Sequence, residues 1–299
     1  KIEPVLATAW KDISPTQMRF TLRSGVKFHD GSPLTVDDAV FSIQRAMMPT
    51  SNFTPYIQGV DKVVKVNETT FDVYSKTPNP VLLNQMTELR VMSKAWAEKN
   101  KSVAPKDIKT QEENFAHRNA NGTGPYMLKE WLPDQKLVLT QNKGWWGKSD
   151  SNVTEIVYTP VKAVATRMAA LLSGEVDLVL DPSPQDLPRV RSNPDLKVMD
   201  GIENRTIFFG MDQFRDELVG SNIKGKNPLK DVRVRKALYQ AIDADAITRV
   251  TMRGLGQATG AIVAPQVTGW TEAVHKRYPF DVAAAQKLLA DAGYKDGFE

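Results

Sequence analysis

Residues 20–45 constrain the fold more than any other stretch. They read Phe20-Thr-Leu-Arg-Ser-Gly-Val-Lys-Phe-His-Asp-Gly31-Ser-Pro-Leu-Thr35-Val-Asp-Asp-Ala-Val-Phe-Ser-Ile-Gln-Arg45. From Gln17 to Leu22 polar and apolar residues alternate, the period-two pattern of a half-buried strand. Asp30-Gly31 predicts a turn, because Gly tolerates positive φ and Asp bonds its own backbone. Thr35 and Asp38 have the spacing of a capping box, with Asp in place of Glu or Gln. Val36, Val40, Ile43 and Met47 then align on one helix face. Strand, tight turn and capped helix in immediate succession point to a mixed α/β fold.

The 299 residues are 41% hydrophobic and 25% charged, globular values with length enough for two domains. The chain has no Cys, which excludes disulfides and thiolate chemistry and suits an oxidising periplasm. No apolar run is long enough to span a bilayer. Lys1-Ile2-Glu3-Pro4 is neither the n-region nor the h-region of a signal peptide. A net charge of +4 would permit nucleic-acid contact, but Lys and Arg alternate with Asp and Glu. That pattern is a solvated mixed surface, so no nucleic-acid partner is expected.

Chemistry-bearing residues are sparse. His29, His117 and His275 lack metal-ligand spacing, so neither a metal nor a cofactor is expected. His29 reads as a turn residue and His117 as a surface residue. No Gly-x-Ser-x-Gly elbow is present. Asp37-Asp38 and Glu112-Glu113 fit helix starts or solvated faces better than acid/base pairs. No residue is assigned a catalytic role, and the chain is read as a non-enzyme.

Further along, residues 60–66 and 70–75 form a hairpin about Asn67-Glu68. Residues 81–96 read as helical, and 97–121 as a mobile polar segment. Gly122-Thr123-Gly124-Pro125-Tyr126 opens a second hairpin, turning at Pro133-Asp134-Gln135 and ending in Trp145-Trp146-Gly147. It is no phosphate loop, since no Gly-Lys-Ser/Thr follows and a strand comes next. Trp145 and Trp146 suit a core or hairpin anchor. Residues 153–159, 163–173 and 176–180 read as a β-α-β crossover, with Gly174 at the helix C-terminus. Residues 196–200 and 205–211 read as strands. Asp231, Asp243 and Asp281 are placed to cap three helices, the last closed by Gly293.

Four ordered motifs closely resemble the extracytoplasmic solute-binding proteins of family 5, the dipeptide and oligopeptide receptors of ABC importers. They are the 20–45 string, Gly122-Thr-Gly-Pro-Tyr126 with its Trp pair, Arg167-Met-Ala-Ala-Leu-Leu-Ser-Gly174-Glu-Val-Asp177, and the segment from Asn227 to Asp243. The resemblance implies a type II periplasmic binding protein: two α/β lobes, an additional subdomain in the first, and ligand enclosed between them. It covers all 299 residues of a family nearly twice as long, so the chain is expected to be a fragment. On this basis residues 1–13 and 117–205 are a partial first lobe, 14–116 the additional subdomain, and 206–299 the start of an incomplete second lobe.

The resemblance implies a periplasmic receptor for peptides that delivers them to a membrane permease. Receptors for a nickel chelate, haem, an opine or an oligosaccharide share the architecture, and a periplasmic hydrolase is the enzymatic alternative. It also leaves room for association with its own missing C-terminal segment. Its ligand-binding candidates here are Arg118, Thr123, Gly124, Arg205, Phe208 and Phe209. A guanidinium forks onto a carboxylate, and a peptide offers one at its C-terminus. Arg118 stands before Gly122-Thr-Gly, where relatives carry a cleft-facing Arg; a plain surface position suits it as well, and Arg205 likewise. Phe208 and Phe209 are adjacent strand positions with opposite faces, one for the core and one for a cleft wall.

Overall fold

The computed structural model describes residues 2–201 and 203–299. The chain divides into two units, Lys1–Pro160 and Val161–Glu299.

The alternating strand predicted at the start is β2, Gln17–Leu22. It joins β1 (Ala7–Ser14), β3 (Val60–Lys65) and β4 (Thr70–Ser75) in an antiparallel sheet of order β1-β2-β4-β3. Register places Phe20 opposite Phe71 and Arg19 opposite Asp72. Adjacent residues point to opposite faces, so these two pairs serve different surfaces. The Phe20 and Phe71 rings stack with centroids 5.2 Å apart in the core, among Leu22, Val26, Val36 and Val73. On the other face Arg19 donates to both oxygens of Asp72 at 2.7 and 2.8 Å, and Gln17 donates to it at 2.8 Å. The Asp72 side chain is 3% exposed, so this pair is a buried carboxylate with its partners supplied.

Helix α1, Val36–Ala46, starts at the predicted capping box. Thr35 N–H and Oγ1 donate to Asp38 at 2.8 and 2.7 Å. The same carboxylate accepts the Lys94 N–H at 2.7 Å. Val36 and Ile43 are buried and Val40 and Met47 partly buried, as the stripe required.

Residues 81–96 are not one helix. They form α2 (Leu82–Met86), a non-helical stretch, and the start of α3 (Lys94–Lys99). The break has two causes. Ser93 has extended backbone and caps α3 through the Trp96 N–H, while Ser42 Oγ accepts the Met92 N–H at 2.8 Å. Part of the segment read as mobile is pinned: Ser102 is fully buried, and its hydroxyl accepts the Ala116 N–H.

The second hairpin is β5 (Tyr126–Leu132) and β6 (Lys136–Gln141), with β7 (Glu155–Tyr158) added to give the order β5-β6-β7.

In the second unit α4 spans Val164–Ser173 and ends on Gly174 at φ 77°. Then follow α5 (Leu187–Arg191), α6 (Val232–Gln240), α7 (Ala244–Ala246), α8 (Glu272–His275) and α9 (Val282–Asp291). Asp231, Asp243 and Asp281 each accept a first-turn N–H, as predicted. α6 packs on α9, burying Val234, Ala237 and Ala285. The strands read at residues 176–180, 196–200 and 205–211 do not form. A strand needs a ladder partner, and the described residues of this unit contain no strand. Leu178, Leu180, Ile207 and both phenylalanines stay exposed instead.

Two outcomes follow for the first unit. Phe71→Ala, which removes a stacked core ring, should lower stability by about 3–5 kcal/mol in urea unfolding. The Arg19 hydrogen bonds hold the Asp72 carboxyl below its usual pKa; burial opposes this, and Gln17 adds to it. The stability so gained is present above the ordinary carboxylate pKa, about 4, and lost as pH falls through the lower folded value. Urea midpoints of Asp72→Asn should therefore fall less steeply below about pH 4 than those of the parent.

Candidate functional site

The two strongest sequence motifs meet in the first unit. Gly31 N–H donates to the Phe28 carbonyl at 2.9 Å and Phe28 N–H to that of Ser32 at 2.8 Å. Gly31 takes φ 85°, which closes the turn. Asp30 Oδ1 accepts both the Ser32 N–H and its hydroxyl, at 2.9 and 2.6 Å. Val26, Phe28 and Leu34 anchor the turn in the core, which presents His29 and Asp30 outward.

Opposite them stands the Asn121-Gly122-Thr123-Gly124 loop. His29 N–H donates to the Gly122 carbonyl at 2.8 Å, and Gly122 N–H donates to His29 Nδ1 at 3.2 Å. Since Nδ1 accepts, the ring proton sits on Nε2, which donates to the Gly124 carbonyl at 3.1 Å. Asp30 N–H donates to Asn121 Oδ1 at 3.1 Å, and Asn121 Nδ2 returns a bond to Asp30 Oδ2 at 2.8 Å. Partial burial works against the Asp30 carboxylate, but the bonds from Ser32 and Asn121 outweigh it and hold its pKa below the usual range. A Cβ at Gly122 would stand 3.3 Å from His29 Cε1, so this approach favours glycine.

The Trp pair fastens the far side of the loop. Trp146 Nε1–H donates to the Thr123 carbonyl at 3.0 Å, and Asn142 Nδ2 donates to Gly124 at 3.1 Å. Trp146 packs on the core cluster and carries the Arg23 guanidinium 4.6 Å above its ring. A Cβ at Gly147 would lie 2.6 Å from the Trp145 ring, which would have to shift to admit it. Trp146 is therefore a hairpin anchor, and Trp145 packs against its ring with centroids 5.5 Å apart.

A cleft of about 320 Å³ opens beside the interlock, lined by His29, Asp30, Trp96, Asn121, Met127 and Thr140. A larger one of about 610 Å³ lies in the second unit between α4 and α5, lined among others by Val164, Met168, Ser183, Asp186 and Arg189. Neither cleft is lined by the candidate binding residues, but the smaller one is walled by residues of both motifs. The smaller one is the better candidate on that ground.

Arg118 sits just before the loop. Its Nε donates to Glu113 Oε2 at 2.8 Å, its Nη2 donates to Oε1, and its guanidinium lies 5.1 Å from the Trp131 ring centroid. Thr123 and Gly124 contribute carbonyls already engaged by Trp146, His29 and Asn142. Arg205 is exposed and paired with Glu203 at 2.9 Å. Phe208 and Phe209 are 63% and 77% exposed, so the expectation that one of them packs in the core fails. Without a ladder to fix their faces, alternation assigns them no sides. Sequence reasoning missed His29, Asn121 and Glu113 as partners. His29 and Asn121 lie within or beside the motifs, but nothing in the sequence marks their contact across 93 residues from His29 to Gly122.

Among the described residues, no group of three or more His, Asp or Glu is placed to hold a metal ion, and no helix is long and apolar enough to cross a membrane.

A family model described as bacterial extracellular solute-binding proteins, family 5 Middle, matches residues 1–299. Heme-binding protein A of Haemophilus influenzae is 28% identical over 321 residues, covering 100% of this chain and 55% of that protein. The dipeptide-binding protein of Escherichia coli is 26% identical over 322 residues, covering 100% and 56%. The crystal structure of the dipeptide binding protein from Pseudoalteromonas sp. SM9913 in complex with Met-Leu superposes with a TM-score of 0.77 at 26% identity, covering 98% of this chain and 58% of that one. The chain thus spans about half the length of the curated relatives it matches. The expected fold class, that of type II periplasmic binding proteins, holds.

Replacing His29 by Ala leaves the half-buried Gly122 N–H and Gly124 carbonyl without that ring. Stability should drop by about 1–3 kcal/mol. Hydrogen exchange at the Gly122 amide should accelerate, while amides of the β3–β4 ladder keep their protection.

Proposed function

The chain belongs to the family 5 extracellular solute-binding proteins, and from that premise we propose that the protein is a peptide receptor. In this reading it binds a di- or oligopeptide between two lobes in the periplasm and hands it to an ABC permease. The observation that carries it is the match, along nearly the whole chain, to a dipeptide receptor holding Met-Leu. Residues 1–13 and 117–205 are assigned to the first lobe, 14–116 to the additional subdomain, and 206–299 to the second lobe.

Closure is the mechanism. Ligand binds the closed arrangement better and shifts the population toward it. Arg118 is assigned the ligand carboxylate, because its guanidinium already holds a carboxylate in a two-point fork over an aromatic ring. Thr123 and Gly124 shape the loop that positions it. Arg205, Phe208 and Phe209 are kept as further ligand-binding candidates. The receptor performs no turnover, so peptides offered to it are recovered intact.

Haem is the second reading, favoured by the relative from Haemophilus influenzae. Native mass spectrometry of the complete protein, purified without denaturation, separates the two. A co-purified peptide mass supports the proposal; bound haem overturns it. If Arg118 pairs with a ligand carboxylate, Arg118→Ala should weaken Met-Leu binding about 10- to 100-fold by calorimetry, the range for hydrogen bonds to charged groups.

A further inference from the structure

Resting on that peptide-receptor reading, we propose that Glu113 is a built-in competitor for the ligand. Its carboxylate occupies the Nε–Nη2 fork of Arg118 and has to leave before a ligand carboxylate can take that fork.

The geometry is that of a held place, not a chance contact. Arg118 offers Nε and Nη2 along one edge, and Glu113 takes both. A peptide C-terminus is the same functional group and competes for the same two-point Nε–Nη2 fork. Two carboxylates cannot share one such edge. The ring of Trp131 lies under the guanidinium, which restricts Arg118 from swinging to a new partner while Glu113 stays.

The short backbone between the two residues is fixed. Asn114 Oδ1 accepts the Ala116 N–H at 3.1 Å, and the Asn114 N–H donates to His117 Nδ1 at 3.0 Å. Ala116 is also held by the buried Ser102, and Arg118 N–H donates to the Phe115 carbonyl at 3.3 Å. Both side chains therefore project from a preset turn. The neighbouring acid, Glu112, faces away to Lys106 at 2.8 Å. The Arg118 hydrogen bond, opposed by slight burial, holds the Glu113 carboxyl below its usual pKa, with the charge of Arg118 adding to the effect. Glu113 is accordingly a full anion at neutral pH.

Exposure distinguishes a competitor from a brace. The side chains of Arg118 and Glu113 are 42% and 47% exposed. Asp72, which braces the sheet through Arg19, is 3% exposed and has Gln17 as a further donor. An exposed pair holds only weakly, so an incoming carboxylate displaces it at small cost. A ligand with an amide in that place has nothing to exchange for Glu113. The device therefore weakens binding of ligands that carry a free carboxylate and leaves amide ligands untouched, which narrows the preference that Arg118 confers.

The test is calorimetry on the complete protein with Met-Leu and with Met-Leu amide. Glu113→Gln should bind Met-Leu about two- to fivefold more tightly, the fold-change equivalent to losing an exposed ion pair. Binding of the amide should not change. Glu112→Gln removes the same charge one residue away and should leave both ligands unaffected. If Glu113→Gln binds Met-Leu no better than the parent, or if Glu112→Gln tightens it equally, Glu113 is not a competitor, although Arg118 remains a ligand residue where Arg118→Ala weakens binding. If Arg118→Ala has no effect, or the parent binds neither ligand, the reading of the site itself fails and the competitor falls with it.

Discussion

The hydrogen-bonded contact between the His29-Asp30 turn and the Asn121–Gly124 loop is the interaction on which the first unit depends. It joins the helix-covered sheet of β1 to β4 with the hairpin sheet of β5 to β7. It uses backbone on both sides, so its geometry is set by conformation more than by side-chain length. The imidazole accepts with one nitrogen and donates with the other. No other neutral side chain offers both roles across a ring of that width. Once these loops are engaged, Trp146 reaches Thr123 from behind and the loop is held from two directions.

Carboxylates in this unit sort by burial into two duties. Asp38 and Asp72 are almost fully buried, and each has several donors aimed at it. A buried anion without such donors would be costly, so these residues bind distant parts of the chain together. Asp37, Glu112 and Glu113 lie at the surface with single cationic partners. Screening by water and salt makes those pairs weak. Only a weakly held pair rearranges at small cost, and this is why the exchange proposed for Glu113 would not suit Asp72.

What the sequence made legible follows the range of the forces involved. The 17–46 strand, turn and helix were readable because each cue acts over a few residues: alternation in Gln17–Leu22, Asp30-Gly31, and Thr35 with Asp38. The caps at Asp231, Asp243 and Asp281 were readable for the same reason. The second duty of Asp38, accepting the Lys94 N–H, was not, since nothing near either residue signals it. The candidate site divides the same way. Arg118 stood out by its place before Gly122, but Glu113 lies five residues away in irregular backbone, where no periodicity predicts a pairing. His29 looked like a turn residue, and it is one; its partners are contributed by a loop far along the chain.

The second unit shows the same rule from its failures. A helix satisfies its own backbone and needs its neighbours only for one face, so α6 and α9 form and bury Val234 and Ala237 against Ala285. Their ends are tied as well: Asp281 N–H donates to the Gln240 carbonyl at 2.9 Å, and Arg233 Nη1 donates to that of Asp291 at 2.7 Å. A strand cannot close its account alone, because every second N–H and carbonyl looks outward for a ladder. The apolar runs at Leu178, Leu180 and Ile207 to Phe209 have strand-like composition, yet find no ladder among the described residues. Composition therefore marked segments of strand-like propensity, and no strand formed from them among the described residues. Whether such a segment becomes a strand depends on a second segment, and that information is not contained in the run itself.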